Sequence, residues 1–105
     1  MNPKTQQISQ LILKAVHAVE PDAEVVLYGS RARSEESPES DWDILILTHM
    51  PVSADIEDNL RDKLYDVELE TGESLSTFIY SKSDWASKQR ITPFYQNVST
   101  EGILL

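Results

Sequence analysis

Between Thr5 and Glu20 the apolar residues Ile8, Leu11, Ile12, Ala15, Val16 and Val19 recur at i, i+3, i+4, i+7, i+8 and i+11. That spacing predicts one stripe of an amphipathic α-helix, which Pro21 ends. Glu24-Val25-Val26-Leu27-Tyr28 is a short β-branched run held between Pro21 and Gly29, and it predicts a buried strand. Gly29-Ser30 follows directly, and the polar stretch Arg31 to Ser40, with Pro38 inside it, predicts a turn and loop opening with one helical turn. Asp41-Trp42-Asp43-Ile44-Leu45-Ile46-Leu47 carries the strongest strand signal, and its four-residue apolar end fits a central strand covered on both faces. After Met50-Pro51, Ser53 is a suitable N-cap, with Asp55, Glu57 and Asp58 placed where the helix dipole favours negative charge. Ile56, Leu60, Leu64 and Val67 then form a second helical stripe, reaching toward Glu70 with Gly72 as its stop. Leu75 to Tyr80 predicts a third strand, Ser83-Asp84-Trp85 a loop or short helix, and the tail from Thr92 has mixed character.

These elements predict a small α/β (α+β) fold: a mixed sheet of three or four strands with two main helices packed on one side. With 105 residues the chain has room for one domain, residues 1–105, and 40% hydrophobic content with few glycines and prolines is that of a globular protein. No run approaches the ~20 apolar residues of a membrane span, and the N-terminal residues lack the apolar core of a signal peptide. The absence of cysteine excludes disulfides, thiolate catalysis and Cys-ligated zinc, so the expected location is the cytoplasm.

The net charge of −9 argues against tracking a nucleic-acid backbone, whose affinity comes from Lys and Arg displacing counterions. Its distribution is more informative. Residues 35–52 carry −5 and residues 53–73 carry −6, while both flanking segments are each +1. The second acidic segment reads as the wet face of the second helix, or else as a docking surface for a basic partner. The first contains Asp41 and Asp43. In an extended strand these project to one side with Cα atoms about 6.5–7 Å apart, and they repel unless a cation lies between them. Mg²⁺ is the natural occupant, because it is bound through one or two carboxylates with substrate phosphates completing its shell. Gly29 lets the backbone turn closely, and free N–H groups with the Ser30 hydroxyl can grip phosphate oxygens, with Arg31 and Arg33 adding positive charge. A phosphate grip beside a metal-binding carboxylate pair implies metal-assisted phosphoryl or nucleotidyl transfer.

Gly29-Ser30-Arg31-Ala32-Arg33 followed by Ser40-Asp41-Trp42-Asp43-Ile44-Leu45-Ile46-Leu47 resembles the signature of the DNA polymerase β-like nucleotidyltransferase superfamily. More narrowly it is similar to the minimal nucleotidyltransferases, small prokaryotic proteins of which many are antitoxins of helical HEPN toxins. The ending Pro93-Phe94-Tyr95-Gln96-Asn97-Val98 with Glu101-Gly102 is similar to endings in this group. The resemblance implies transfer of a nucleotide, usually AMP from ATP, to a hydroxyl, typically a tyrosine of the partner toxin, with release of pyrophosphate. Carried over by position, Gly29 and Ser30 would hold the β- and γ-phosphates, Asp41 and Asp43 would ligate Mg²⁺, and Arg33 would lie beside the phosphates.

Competent members generally add a third carboxylate from a later strand, and the corresponding position here falls near Ser76, which cannot serve. Glu73 lies just before that strand. Glu68 and Glu70 become candidates if Asp66 to Glu70 is a strand, although the continuing stripe of Leu60, Leu64 and Val67 favours helix. Two further readings therefore stand beside the enzyme that modifies a partner: a catalytically weak module that neutralises its partner by binding, and an enzyme acting on a small hydroxylated molecule. Trp42, on the opposite strand face from the aspartates, is expected in the core, and Tyr28, Phe78 and Tyr80 are expected as core or sheet-surface residues. Trp85, Phe94 and Tyr95 either pack the tail onto the sheet or form a partner patch. His17 and His49 have no second metal-type ligand spaced to join them.

Overall fold

Helix α1 (Pro3–Val19) begins two residues earlier than the apolar stripe requires, because Pro3 suits the first turn and the Asn2 side chain caps Thr5 N–H at 2.8 Å. The computed structural model describes residues 2–105. Strand β1 (Glu24–Tyr28) pairs antiparallel with β2 (Trp42–Thr48), placing Tyr28 opposite Asp43. Asp41 stands one residue outside the strand in which the sequence pattern places it.

The crossover after β2 is α2 (Ala54–Thr71), capped by Ser53 and closed by Gly72 in the left-handed conformation at φ 73°. It delivers the chain to β3 (Leu75–Ser81), parallel to β2 with Asp43 opposite Ser76. Two short helices, α3 (Lys82–Ser87) and α4 (Pro93–Glu101), lead to β4 (Ile103–Leu104), antiparallel to β1 on its free side. The four-stranded mixed sheet thus runs β3-β2-β1-β4, with β2 central as its apolar run requires.

Strand alternation divides the core in two. Val25, Leu27, Trp42, Ile44 and Ile46 face the two long helices and meet Ile8, Ile12, Val16, Leu60, Leu64 and Val67. The opposite face of the sheet carries Leu45 and Leu47 against Trp85 and Val98, with Tyr28, Tyr80, Phe94 and Tyr95 around them. The two long helices lie together as the periodicity predicts. The shorter α3 and α4 cover the other face through aromatic contacts, including Phe94 with Tyr28 at 5.4 Å and Trp85 with Tyr95 at 5.0 Å between ring centroids. The tail aromatics are therefore packing residues.

Candidate active site

The turn after β1 is built around Gly29, whose φ of 76° lies in the region that side chains disfavour. A Cβ there would also stand 3.0 Å from Cγ of Asp43 and closer still to its Oδ2. The position thus demands glycine twice, once for the turn and once for the approach of the Asp43 carboxylate. The Gly29 carbonyl accepts from the N–H groups of Ala32 and Arg33, both at 3.1 Å, and Ser30 O accepts from Glu35 N–H at 2.9 Å. These bonds close residues 29–35 into a tight hydrogen-bonded turn rather than the helical turn expected there, because Ser34 takes the left-handed conformation at φ 58°; Ser30 is half-buried within it.

Asp41 is exposed and Asp43 half-buried. Burial, then the negative charges of Asp41 and Glu101, push the Asp43 carboxyl above its ordinary value, and Arg33 opposes them only in part. Next to it the Tyr28 hydroxyl is pushed up to about 12 by burial, Asp43, Tyr80 and Glu101. This corner of the sheet holds an excess of negative charge. The donor set fits Mg²⁺: two hard carboxylate residues beside a phosphate-gripping turn, with the shell left for substrate oxygens. Among the described residues no three His, Cys, Asp or Glu side chains gather as a complete protein cage.

The two arginines of the turn go to opposite sides. Arg33 is 43% exposed and reaches Glu101 Oε2 through Nη1 at 2.6 Å, with Nε 3.0 Å from Glu35. Arg31 does not supply the charge beside the phosphate position that its place in the sequence suggests. It is buried, lies 4.3 Å over the Trp42 ring and donates through Nη2 to Ser40 O at 2.9 Å. Its role is to pack the loop onto the helical side of the sheet.

The expected substitutes for the third carboxylate are likewise turned elsewhere. Glu73 accepts from Trp42 Nε1 at 3.2 Å and pairs with Lys4 at 2.6 Å, and these partners hold its carboxyl below the usual range. Glu68 Oε2 accepts from Leu75 N–H at 2.9 Å, and α2 continues through Glu70 to Thr71, so neither Glu68 nor Glu70 belongs to a strand. Ser76 occupies the place directly across from Asp43, and a serine has no carboxylate to offer. The carboxylate that does reach the site is Glu101, which accepts from Gly29 N–H at 3.1 Å as well as from Arg33. No local pattern announces this contact, which spans 72 positions of sequence.

A model of the nucleotidyltransferase domain matches residues 9–92, from within α1 through β3 and α3. The chain belongs to the nucleotidyltransferase domain family. A solved structure described as a toxin-antitoxin with AMP-PNP superposes with a TM-score of 0.66 and 21% identity, covering 90% of this chain and 69% of that one. That likeness establishes the shared fold. Comparison with curated proteins returns no match. The nucleotidyltransferase match contains Gly29, Ser30, Arg33, Asp41 and Asp43, and it ends one residue before α4, so Glu101 lies outside it. No helix among the described residues is long and apolar enough to cross a membrane.

Proposed function

We propose that this nucleotidyltransferase domain transfers AMP from ATP, with Mg²⁺, to a tyrosine hydroxyl of a partner HEPN-type toxin, and so acts as an antitoxin. The observation that carries the reading is the contact between the Gly29 turn and Asp43, with Asp41 two residues away. It joins a phosphate-gripping backbone to a carboxylate pair at the one place where both can act on a triphosphate. The likeness to a toxin-antitoxin structure solved with AMP-PNP supports both the nucleotide and the kind of partner.

In this mechanism the Ser30 hydroxyl and the backbone of the Gly29 turn orient the β- and γ-phosphates, and Arg33 offsets their charge. Asp41 and Asp43 would hold Mg²⁺, which supplies charge neutralisation at the phosphates when bound. The acceptor oxygen attacks the α-phosphorus and gives its proton to solvent, since Ser76 offers no carboxylate to take it; an O–P bond forms, the bond to the bridging oxygen breaks, and pyrophosphate leaves with the electron pair.

The serine opposite Asp43 carries a second reading, in which transfer is slow or absent and the domain neutralises its partner by binding. Co-expression with the partner separates the two. If Asp41→Asn/Asp43→Asn still co-purifies with the partner but no longer relieves its toxicity, transfer is required. If relief persists, binding suffices.

A further inference from the structure

The Gly29 N–H and the Arg33 guanidinium converge from the turn after β1, and both are donors suited to an anion. Glu101, the last residue of α4, accepts from both: Oε1 from Gly29 N–H at 3.1 Å and Oε2 from Arg33 Nη1 at 2.6 Å. One carboxylate thus spans the donors that a triphosphate needs. Its position is tightly set. Gly102, which follows it, sits at a corner where a Cβ would meet Val98 O at 2.5 Å and Val26 Cγ1 at 2.8 Å. Beyond that corner β4 pairs with β1, and Leu105 N–H bonds Val25 O at 2.8 Å. The side chain itself remains 21% exposed, leaving it room to swing away while the corner stays fixed.

We propose that Glu101 is a built-in competitor for the phosphate position: its carboxylate takes the Gly29 N–H and Arg33 donors, and a triphosphate binds by displacing it. This rests on the assignment of the Gly29 turn to phosphate. The displaced carboxylate would stand near Asp43 and the incoming phosphates, so like-charge repulsion opposes entry until a divalent cation neutralises the corner. Glu101 thereby makes nucleotide binding depend more strongly on metal than the turn alone would.

The test is calorimetric titration of wild type and Glu101→Gln with ATP and with inorganic tripolyphosphate, each in EDTA and in Mg²⁺. Loss of one charge-assisted competitor should tighten binding of both probes in EDTA by about tenfold. The gain should be smaller in Mg²⁺. Glu101→Asp, too short to span both donors, should fall between, and it serves as the reporter if Glu101→Gln loses its cooperative melt. In an Arg33→Ala background the gain should shrink, since one of the two shared donors is gone while the Gly29 N–H remains. ATP binding by wild type in Mg²⁺ that Glu101→Gln leaves equal or weaker in both buffers overturns the competitor and spares the nucleotide reading. Binding of ATP by none of the proteins in Mg²⁺ overturns both.

Discussion

Asp43→Asn should make the metal-free protein more stable while removing its response to Mg²⁺. Asp43 is half-buried, which disfavours its charged form, and it sits among like charges, with Asp41 two residues away and Glu101 across the turn, and Arg33 opposing them. At about 6.5 Å, one pair of like charges repels by about 0.6 kcal/mol at the dielectric of water and about 2.5 kcal/mol at an effective value of 20. Asp41 is exposed, so screening puts its share near the lower figure, and the lost attraction to Arg33 offsets part of the Glu101 share. The net expectation is a gain of about 1 kcal/mol at pH 7, or about 4–8 °C in Tm for a domain near this size. The sign fixes the pH dependence. A carboxyl whose folded pKa lies above its unfolded value contributes stability that is present below the unfolded value and lost as pH rises through the folded one. The advantage of Asp43→Asn should therefore shrink as pH falls through the raised Asp43 pKa and be nearly gone below the ordinary carboxylate range. Thermal melts of both proteins in EDTA and in Mg²⁺, across that pH series, read all of this. A variant that melts below wild type in EDTA at pH 7 would refute the reasoning, as would one that gains as much from Mg²⁺ as wild type does.

Other substitutions separate structure from chemistry. Gly29→Ala should lower stability by about 1–3 kcal/mol, through its positive φ and the crowding of Asp43, and should weaken ATP binding measured by titration. Arg31→Ala should destabilise by about 2–4 kcal/mol in a chemical melt, because it removes a buried guanidinium from Trp42 and Ser40. Arg33→Ala should lower the melt only slightly, since that side chain is exposed although it opposes the Asp43 and Glu101 charges, and should alter ATP affinity more. Ser76→Asp places a carboxylate across from Asp43, and a steady-state assay should show transfer accelerated by about a hundredfold if a proton acceptor is what the site lacks.

The elements that carry the fold are those whose periodicity is long and uninterrupted. The stripe from Ile56 to Val67 and the alternation about Trp42 to Leu47 are each enforced by burial, so sequence spacing maps directly onto them. The same alternation correctly sends Trp42 and Asp43 to opposite faces. Helix α4 is harder to read from spacing because it is only nine residues long and its apolar positions meet a cluster built from β2, α3, β1 and β3. Arg31 and Glu101 show the further limit. Two arginines spaced by one residue look equivalent in the chain, yet the hydrogen-bonded turn after Gly29 sends one to the core and the other to the site. Which carboxylate reaches that site depends on where β4 pairs, a contact between residues far apart in sequence.

In the proposed function Asp41, Asp43 and the Gly29 turn act together to transfer a nucleotide to a protein hydroxyl. Incubation with Mg²⁺, α-labelled ATP and the product of the neighbouring gene tests this transfer at its acceptor. Label should appear on a partner tyrosine, dependent on Mg²⁺ and abolished in Asp41→Asn/Asp43→Asn. Label absent from the partner, or incorporated equally by that double variant, would contradict it.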